Sequence, residues 1–303
     1  MSKAPVLLLA FNRPNDVVRV LEQIRRHQPD RLLIACDGPR LGQTGDVVAV
    51  ENTRNAIAGM LTWPCAIAYR YRETNLGCRA AVMDALEWAF SLEEKLIILE
   101  DDCVPSPDFF RFVEELLPKY ANDPRVGSIS GVNLSGCSPA GDSYYFSRFF
   151  HCWGWASWSR VWNERQKARL FDVCDFQYLK TIDMPTRERK FWNDISRQIM
   201  QGRLDSWAYE FNFLSLKHAW LNAIPSESVV DNIGYAASAT HTTGWRPPWL
   251  VTGSIPFPLL HPELAFWPLA DDVVSRRIFQ RTSLLRRIYR KIRKTLKPVH
   301  SDE

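Results

Sequence analysis

Leu96-Ile97-Ile98-Leu99-Glu100-Asp101-Asp102 sets four apolar residues directly against three consecutive acids, and this junction decides how the chain is read. A short, wholly apolar run reads as a strand covered on both faces, as in parallel sheets. Ligands of an open α/β sheet gather beyond the carboxyl ends of its strands, which is where the three acids fall. Adjacent carboxylates repel one another unless a cation or a set of donors offsets them. Mg2+ or Mn2+ meets that need, because a hard divalent ion takes one or two carboxylates and completes its shell with water and phosphate oxygens. The competing reading is an acidic cap on the helix expected after Pro107.

The residues on the N-terminal side repeat the same pattern of short apolar strand and amphipathic helix. Val6 to Phe11 is a uniformly apolar strand, and Pro14 and Asn15 open a helix with Val17, Val18, Leu21 and Ile24 on one stripe. Leu32 to Cys36 is a second strand ending on Asp37-Gly38-Pro39, with a helix from about Asp46 to Leu61. Ala66 to Arg72 is a third strand, and Leu76-Gly77 precedes a helix carrying Val82, Leu86, Trp88 and Ala89. A helix after Pro107 and a strand at Val126 to Ser130 complete a Rossmann-like, mostly parallel α/β sheet with helices on both faces.

Residues 1–140 are therefore expected to form one half of the molecule and residues 141–255 a second half of the same domain. Residues 256–303 supply a Pro-rich linker and a basic tail. The second half is aromatic and less regular, with helices expected at Arg187 to Gln201 and Trp207 to His218. With 303 residues, 46% of them hydrophobic, the chain can bury a large core. Seven cysteines form no C-x-x-C pair, which argues against a zinc site and a disulfide framework.

The N-terminus lacks a signal-peptide pattern and no apolar run reaches the length of a membrane span, so a cytoplasmic protein is expected. From Val274 to Lys297 there are ten Lys/Arg and no acids, leaving 28 basic against 34 acidic residues elsewhere. Leu285, Ile288 and Ile292 share a face among those cations, as in a helix lying on an anionic membrane. A solvated or protein-binding tail is the alternative, and few aromatics and no nucleic-acid motif accompany it, so nucleic acid is not an expected partner.

Four loops now stand in order: Phe11-Asn12-Arg13-Pro14, Asp37-Gly38-Pro39-Arg40, Asn75-Leu76-Gly77 and Glu100-Asp101-Asp102-Cys103. Together they resemble GT-A glycosyltransferases, closest to a bacterial family 2-like or haemolytic-protein-like group and more distantly to N-acetylglucosaminyltransferase I, over about residues 4 to 245. The resemblance implies a nucleotide-diphospho-sugar donor, with Phe11, Asn12, Arg13, Asp37 and Arg40 around the nucleoside and Asn75 and Gly77 near ribose and phosphates. Asp102 would touch the Mn2+ or Mg2+ and Asp101 would support it. Glu100 departs from the commoner Asp-x-Asp form, and its place would be on the donor side. Each loop residue also has a plain alternative as a turn former or a solvated charge.

Inverting transfer needs a general base near the acceptor hydroxyl. Asp205 resembles the base of inverting members, with Glu210 in reserve; the alternative for Asp205 is the N-cap of the helix that follows. Trp153, Trp155 and Trp207 suit a wall against a saccharide or lipid-linked acceptor, or equally a core. His241 resembles a late metal ligand. Two rival readings share the scaffold. A sugar nucleotidylyltransferase would carry a Gly-rich phosphate loop after the first strand, where Phe11-Asn12-Arg13-Pro14 stands. The other rival is a catalytically inactive, membrane-associated haemolysin-like protein.

Overall fold

A computed structural model describes residues 2–168, 170–174, 177–235 and 249–280. Its first half is built from β1 (Val6–Ala10), α1 (Pro14–His27), β2 (Arg31–Cys36), α2 (Thr44–Met60), β3 (Ala66–Tyr71), α3 (Cys78–Leu92) and β4 (Lys95–Glu100). These four strands are all parallel, in the spatial order β3-β2-β1-β4. Side chains alternate across the sheet as strand geometry requires. Val6, Leu8, Ile34, Ile97 and Leu99 face a core shared with Val17, Leu21 and Ile24 of α1. Leu7, Leu9, Leu33, Leu96 and Ile98 face Val82, Leu86 and Ala89 of α3 on the other side. Both faces are thus covered, which is why these strands are apolar throughout.

After β4 the chain makes β5 (Cys103–Pro105), α4 (Pro107–Lys119), β6 (Val126–Ser130), β7 (Tyr144–Ser147) and β8 (Trp155–Trp158). Ser106 caps α4, accepting from the Phe109 backbone N–H. The second half continues with α5 (Ser159–Lys167), α6 (Leu170–Cys174), α7 (Thr186–Met200), α8 (Trp207–Lys217), β9 (Leu221–Pro225), β10 (Val230–Asn232) and α9 (Pro268–Val274). One eight-stranded sheet runs through both halves in the order β3-β2-β1-β4-β8-β6-β9-β7. β8 is antiparallel to both β4 and β6, and β7 is antiparallel to β9, while the other strands run with β1.

Val126 to Ser130 forms the expected strand, and β8 lies between it and β4. β8 is packed there by a cluster of aromatic rings. Trp155 of β8 lies against Phe150, Trp207 and Phe211, and Phe211 against Trp162 of α5. Each such ring removed from water contributes roughly 1.5–3 kcal/mol, so β8 is held firmly alongside the strand that ends in Glu100. Separately, β10 pairs antiparallel with β5, matching Asn232 to Cys103, and so returns the chain to the end of β4. No helix among the described residues is long and apolar enough to cross a membrane.

Candidate ligand site at the carboxyl edge of the sheet

The loops that follow β1, β2, β3 and β4 converge at one edge, and their polar side chains are bonded to each other across loops. The Arg13 guanidinium donates from Nη1 to Asp101 Oδ1 at 3.0 Å and to Asp102 Oδ2 at 2.7 Å. Asp101 Oδ2 also accepts from the Phe11 backbone N–H at 3.0 Å. Burial acts against the charge on Arg13, but the two carboxylates outweigh it and leave its affinity for the proton above the ordinary value. The Glu100 side chain takes no hydrogen bond or ion pair among the described residues, although its backbone pairs with β1. Burial, followed by the charges of Asp102 and Asp101, pushes its carboxyl up to about 8, and burial also raises Asp101 to about 6.

Asp37 joins two loops. It accepts from the Gly38 and Leu76 backbone N–H groups at 2.9 and 3.0 Å and from Asn75 Nδ2 at 2.8 Å. The Asn75 amide also donates to the Gly38 carbonyl at 3.0 Å and accepts from the Gly77 N–H at 3.1 Å. Burial raises the Asp37 carboxyl above its ordinary value, partly offset by those backbone donors. Asn12 and Arg40 meet on Asp46, a residue that the sequence reading did not single out. Asn12 Nδ2 donates to it at 3.0 Å and Arg40 Nη2 at 2.9 Å, while the Arg40 guanidinium lies 5.5 Å from the Phe11 ring centroid. The Arg40 contacts hold Asp46 down at about 2. The signal in sequence was an acid in the first turn of α2, which is otherwise an ordinary helix-dipole residue.

Asp205 comes to this edge from 126 residues away. Its Oδ1 accepts from the Arg79 backbone N–H at 3.1 Å, so it caps α3 and not the helix that follows it; α8 starts after Ser206 with no side-chain cap. A Cβ on Gly77 would lie 3.1 Å from Asp205 Oδ2, and Gly77 has φ +85°. Only glycine takes that backbone shape cheaply, so the residue fits both the turn and the approach of Asp205. Cys78, between them, is pushed up to about 12, first by burial and then by the charges of Glu100 and Asp205.

Glu210 stands apart. It is fully buried, and its two oxygens meet the guanidinium groups of Arg79 and Arg165. Of the three tryptophans considered for an acceptor wall, Trp155 and Trp207 are 1% and 3% exposed inside the aromatic pack, so the structure assigns them to the core. Trp153 is partly buried and meets the Tyr235 ring edge-on at 5.8 Å. His241 and the tail beyond Gln280 lie outside the described residues.

The edge is closed by the segment after β10. The Ile233 N–H donates to the Asp102 carbonyl at 2.9 Å, and a Cβ on Gly234 would sit 2.1 Å from Asp102 Oδ2. Gly234 is thus a second site residue that the sequence reading passed over, marked only by the turn-like Asp231-Asn232-Ile233-Gly234. No group of three or more His, Cys, Asp or Glu side chains converges to hold a metal among the described residues. The edge instead presents one or two carboxylates already holding a positive charge, that of Arg13. This donor set fits a divalent ion whose remaining ligands come from substrate and water.

No family model and no curated protein matches the chain. Solved structures resemble it remotely. A cytidylyltransferase from Leptospira borgpetersenii serovar Hardjo-bovis is 8% identical with a TM-score of 0.35, over 66% of this chain and 74% of that one. A UDP-glucose pyrophosphorylase complexed with UDP-glucose is 12% identical with a TM-score of 0.30, over 57% and 79%. The 4-diphosphocytidyl-2C-methyl-D-erythritolsynthase from Anaerococcus prevotii is 8% identical with a TM-score of 0.31, over 72% and 96%. Similarity at this level carries no argument about activity, which has to be made from the site.

Proposed function

We propose that this protein is a glycosyltransferase that moves a sugar from a nucleotide-diphospho-sugar to a saccharide or lipid-linked acceptor, with inversion, in bacterial surface-glycan synthesis. The observation that supports this reading is the meeting of Arg13, Asp101 and Asp102, the Asp37–Asn75 latch and the Asp205 carboxylate at one carboxyl edge of a Rossmann-like sheet. Phe11, Asn12 and Arg40 are the proposed walls of the nucleoside pocket, with Asp37 and Asn75 fixing its shape. Asp102, joined by His241, is the proposed holder of Mn2+ or Mg2+, and the ion when bound supplies charge stabilisation for the departing diphosphate.

Asp205 is the proposed general base. It stands at the sheet edge beside Gly77, with Oδ1 held by the Arg79 backbone N–H, within the loops that would hold the donor. The basic tail is proposed to rest on the anionic inner face of the membrane, and sedimentation with anionic liposomes at low salt tests that part by itself.

The enzymatic reading is tested by incubating the full chain with a panel of nucleotide sugars and Mn2+ and following sugar transfer and slow donor hydrolysis. Turnover that disappears in Asp102→Ala and falls by about 10²–10⁴ in Asp205→Asn, the range for loss of a general base, supports it. Release of a nucleoside triphosphate on addition of diphosphate would identify a nucleotidylyltransferase instead. No turnover of any donor would favour the inactive membrane-associated reading.

A further inference from the structure

We propose that Arg13 is a resident counter-cation that competes with the divalent ion for Asp102, so that metal binding requires the guanidinium to leave that carboxylate. The inference rests on the reading of Asp102 as the metal-holding residue. The surroundings of Asp102 leave a newcomer little choice of approach. Its Oδ1 accepts from the Cys103 thiol at 3.5 Å, and Oδ2 is flanked by the Gly234 backbone, which leaves no room even for a methyl group. Oδ2 is also held by Arg13 Nη1 at 2.7 Å.

Only the side chain of Arg13 has to move. Pro14 follows it at the start of α1, and the Arg13 carbonyl accepts from the Val17 N–H at 3.1 Å, so its main chain is fixed. Asp101 is held independently by the Phe11 N–H and keeps Arg13 through Oδ1. The side chain can then pivot off Asp102 while anchored on Asp101. Asp101 becomes a positioning residue, and the charge of Asp102 is partly offset before any metal arrives.

The test is Mn2+ binding, read by electron paramagnetic resonance on the full-length protein without nucleotide, for wild type, Arg13→Lys and Arg13→Gln. Removing a unit charge beside the carboxylates is expected to tighten Mn2+ binding by at least about tenfold in Arg13→Gln. Arg13 meets both carboxylates through the single atom Nη1, so Arg13→Lys, which keeps the charge but on a more flexible stem, should fall between wild type and Arg13→Gln. The Arg13→Gln protein should also melt earlier without metal and recover with Mn2+. If Arg13→Gln does not fold, tighter binding by Arg13→Lys carries the test. Affinities within about twofold of wild type, or weaker binding in either variant, overturn the competition while leaving the metal reading intact. Absence of Mn2+ binding in all three proteins, with nucleoside diphosphate added, sinks the metal reading and the inference with it.

Discussion

The acids at the end of β4 and Glu210 in α8 both pair with arginine, but with opposite balances of charge. Glu210 is one fully buried carboxylate between two guanidinium groups. Glu100, Asp101 and Asp102 are three carboxyl groups sharing Arg13. The first arrangement offsets its buried carboxylate within the fold and leaves the surplus positive. The second leaves negative charge at the edge of a sheet, where burial and the charges of Asp102 and Asp101 push the Glu100 carboxyl up to about 8. Surplus negative charge, not the presence of acids, is what distinguishes the edge of the sheet from the surroundings of Glu210.

The largest effect should come from breaking the satisfied pair. Glu210→Ala leaves Arg79 and Arg165 without their buried partner, and denaturant unfolding should show a loss of about 3–5 kcal/mol. A loss under about 1 kcal/mol would mean that Glu210 is not a structural keystone and would return it to the list of reacting groups.

Next comes the edge itself. Gly234→Ala places a methyl group 2.1 Å from Asp102 Oδ2, so the loop after β10 must shift. A cost of about 1–3 kcal/mol is expected from such overpacking, together with weakened binding of nucleotide sugars measured by calorimetry. Unchanged stability and affinity would show that this loop is free to retreat from Asp102.

The smallest effect belongs to the pair of exposed Arg40 and buried Asp46. Its contacts hold Asp46 at about 2, below the ordinary value of 3.8. A depressed carboxyl adds stability above its unfolded value and loses it as pH falls through the folded one. Wild type should therefore exceed Asp46→Asn by less than about 1 kcal/mol at neutral pH, as expected for an ion pair with an exposed partner. The difference should vanish between pH 4 and 2 in thermal melts. A difference that persists at pH 2 would show that the amide fails to replace a hydrogen bond, not a charge.

Much of the first half is legible in the sequence because its strands are buried on both faces and so are written as unbroken apolar runs, with Pro14 and Pro107 marking helix starts. The second half is not, since β8 owes its place between β4 and β6 to contacts among Phe150, Trp155, Trp207 and Phe211 that are far apart in the chain. The same residues read as well for a sugar-facing wall as for a core, and only burial separates the two. Within the site, the acids after β4 and the loops at Arg13, Asp37 and Asn75 could be placed from the ends of strands. Asp46 and Gly234 could not, because an acid in a first helical turn and a glycine in a polar turn have ordinary local roles. That Asp205 caps α3 and not α8 follows from a contact across 126 residues, which no local pattern records.

The central claim is that Asp102 belongs to a nucleotide-sugar site at this edge, and ligand-linked stability tests it most directly. Wild type and Asp102→Asn are melted with and without a panel of nucleotide-diphospho-sugars and Mn2+. A ligand at about 100 times its dissociation constant stabilises the folded state by about 2.7 kcal/mol. The account predicts that at least one donor raises the melting temperature of wild type by several degrees when Mn2+ is present and fails to do so for Asp102→Asn. An equal rise in the two proteins, or no rise with any donor, would contradict it.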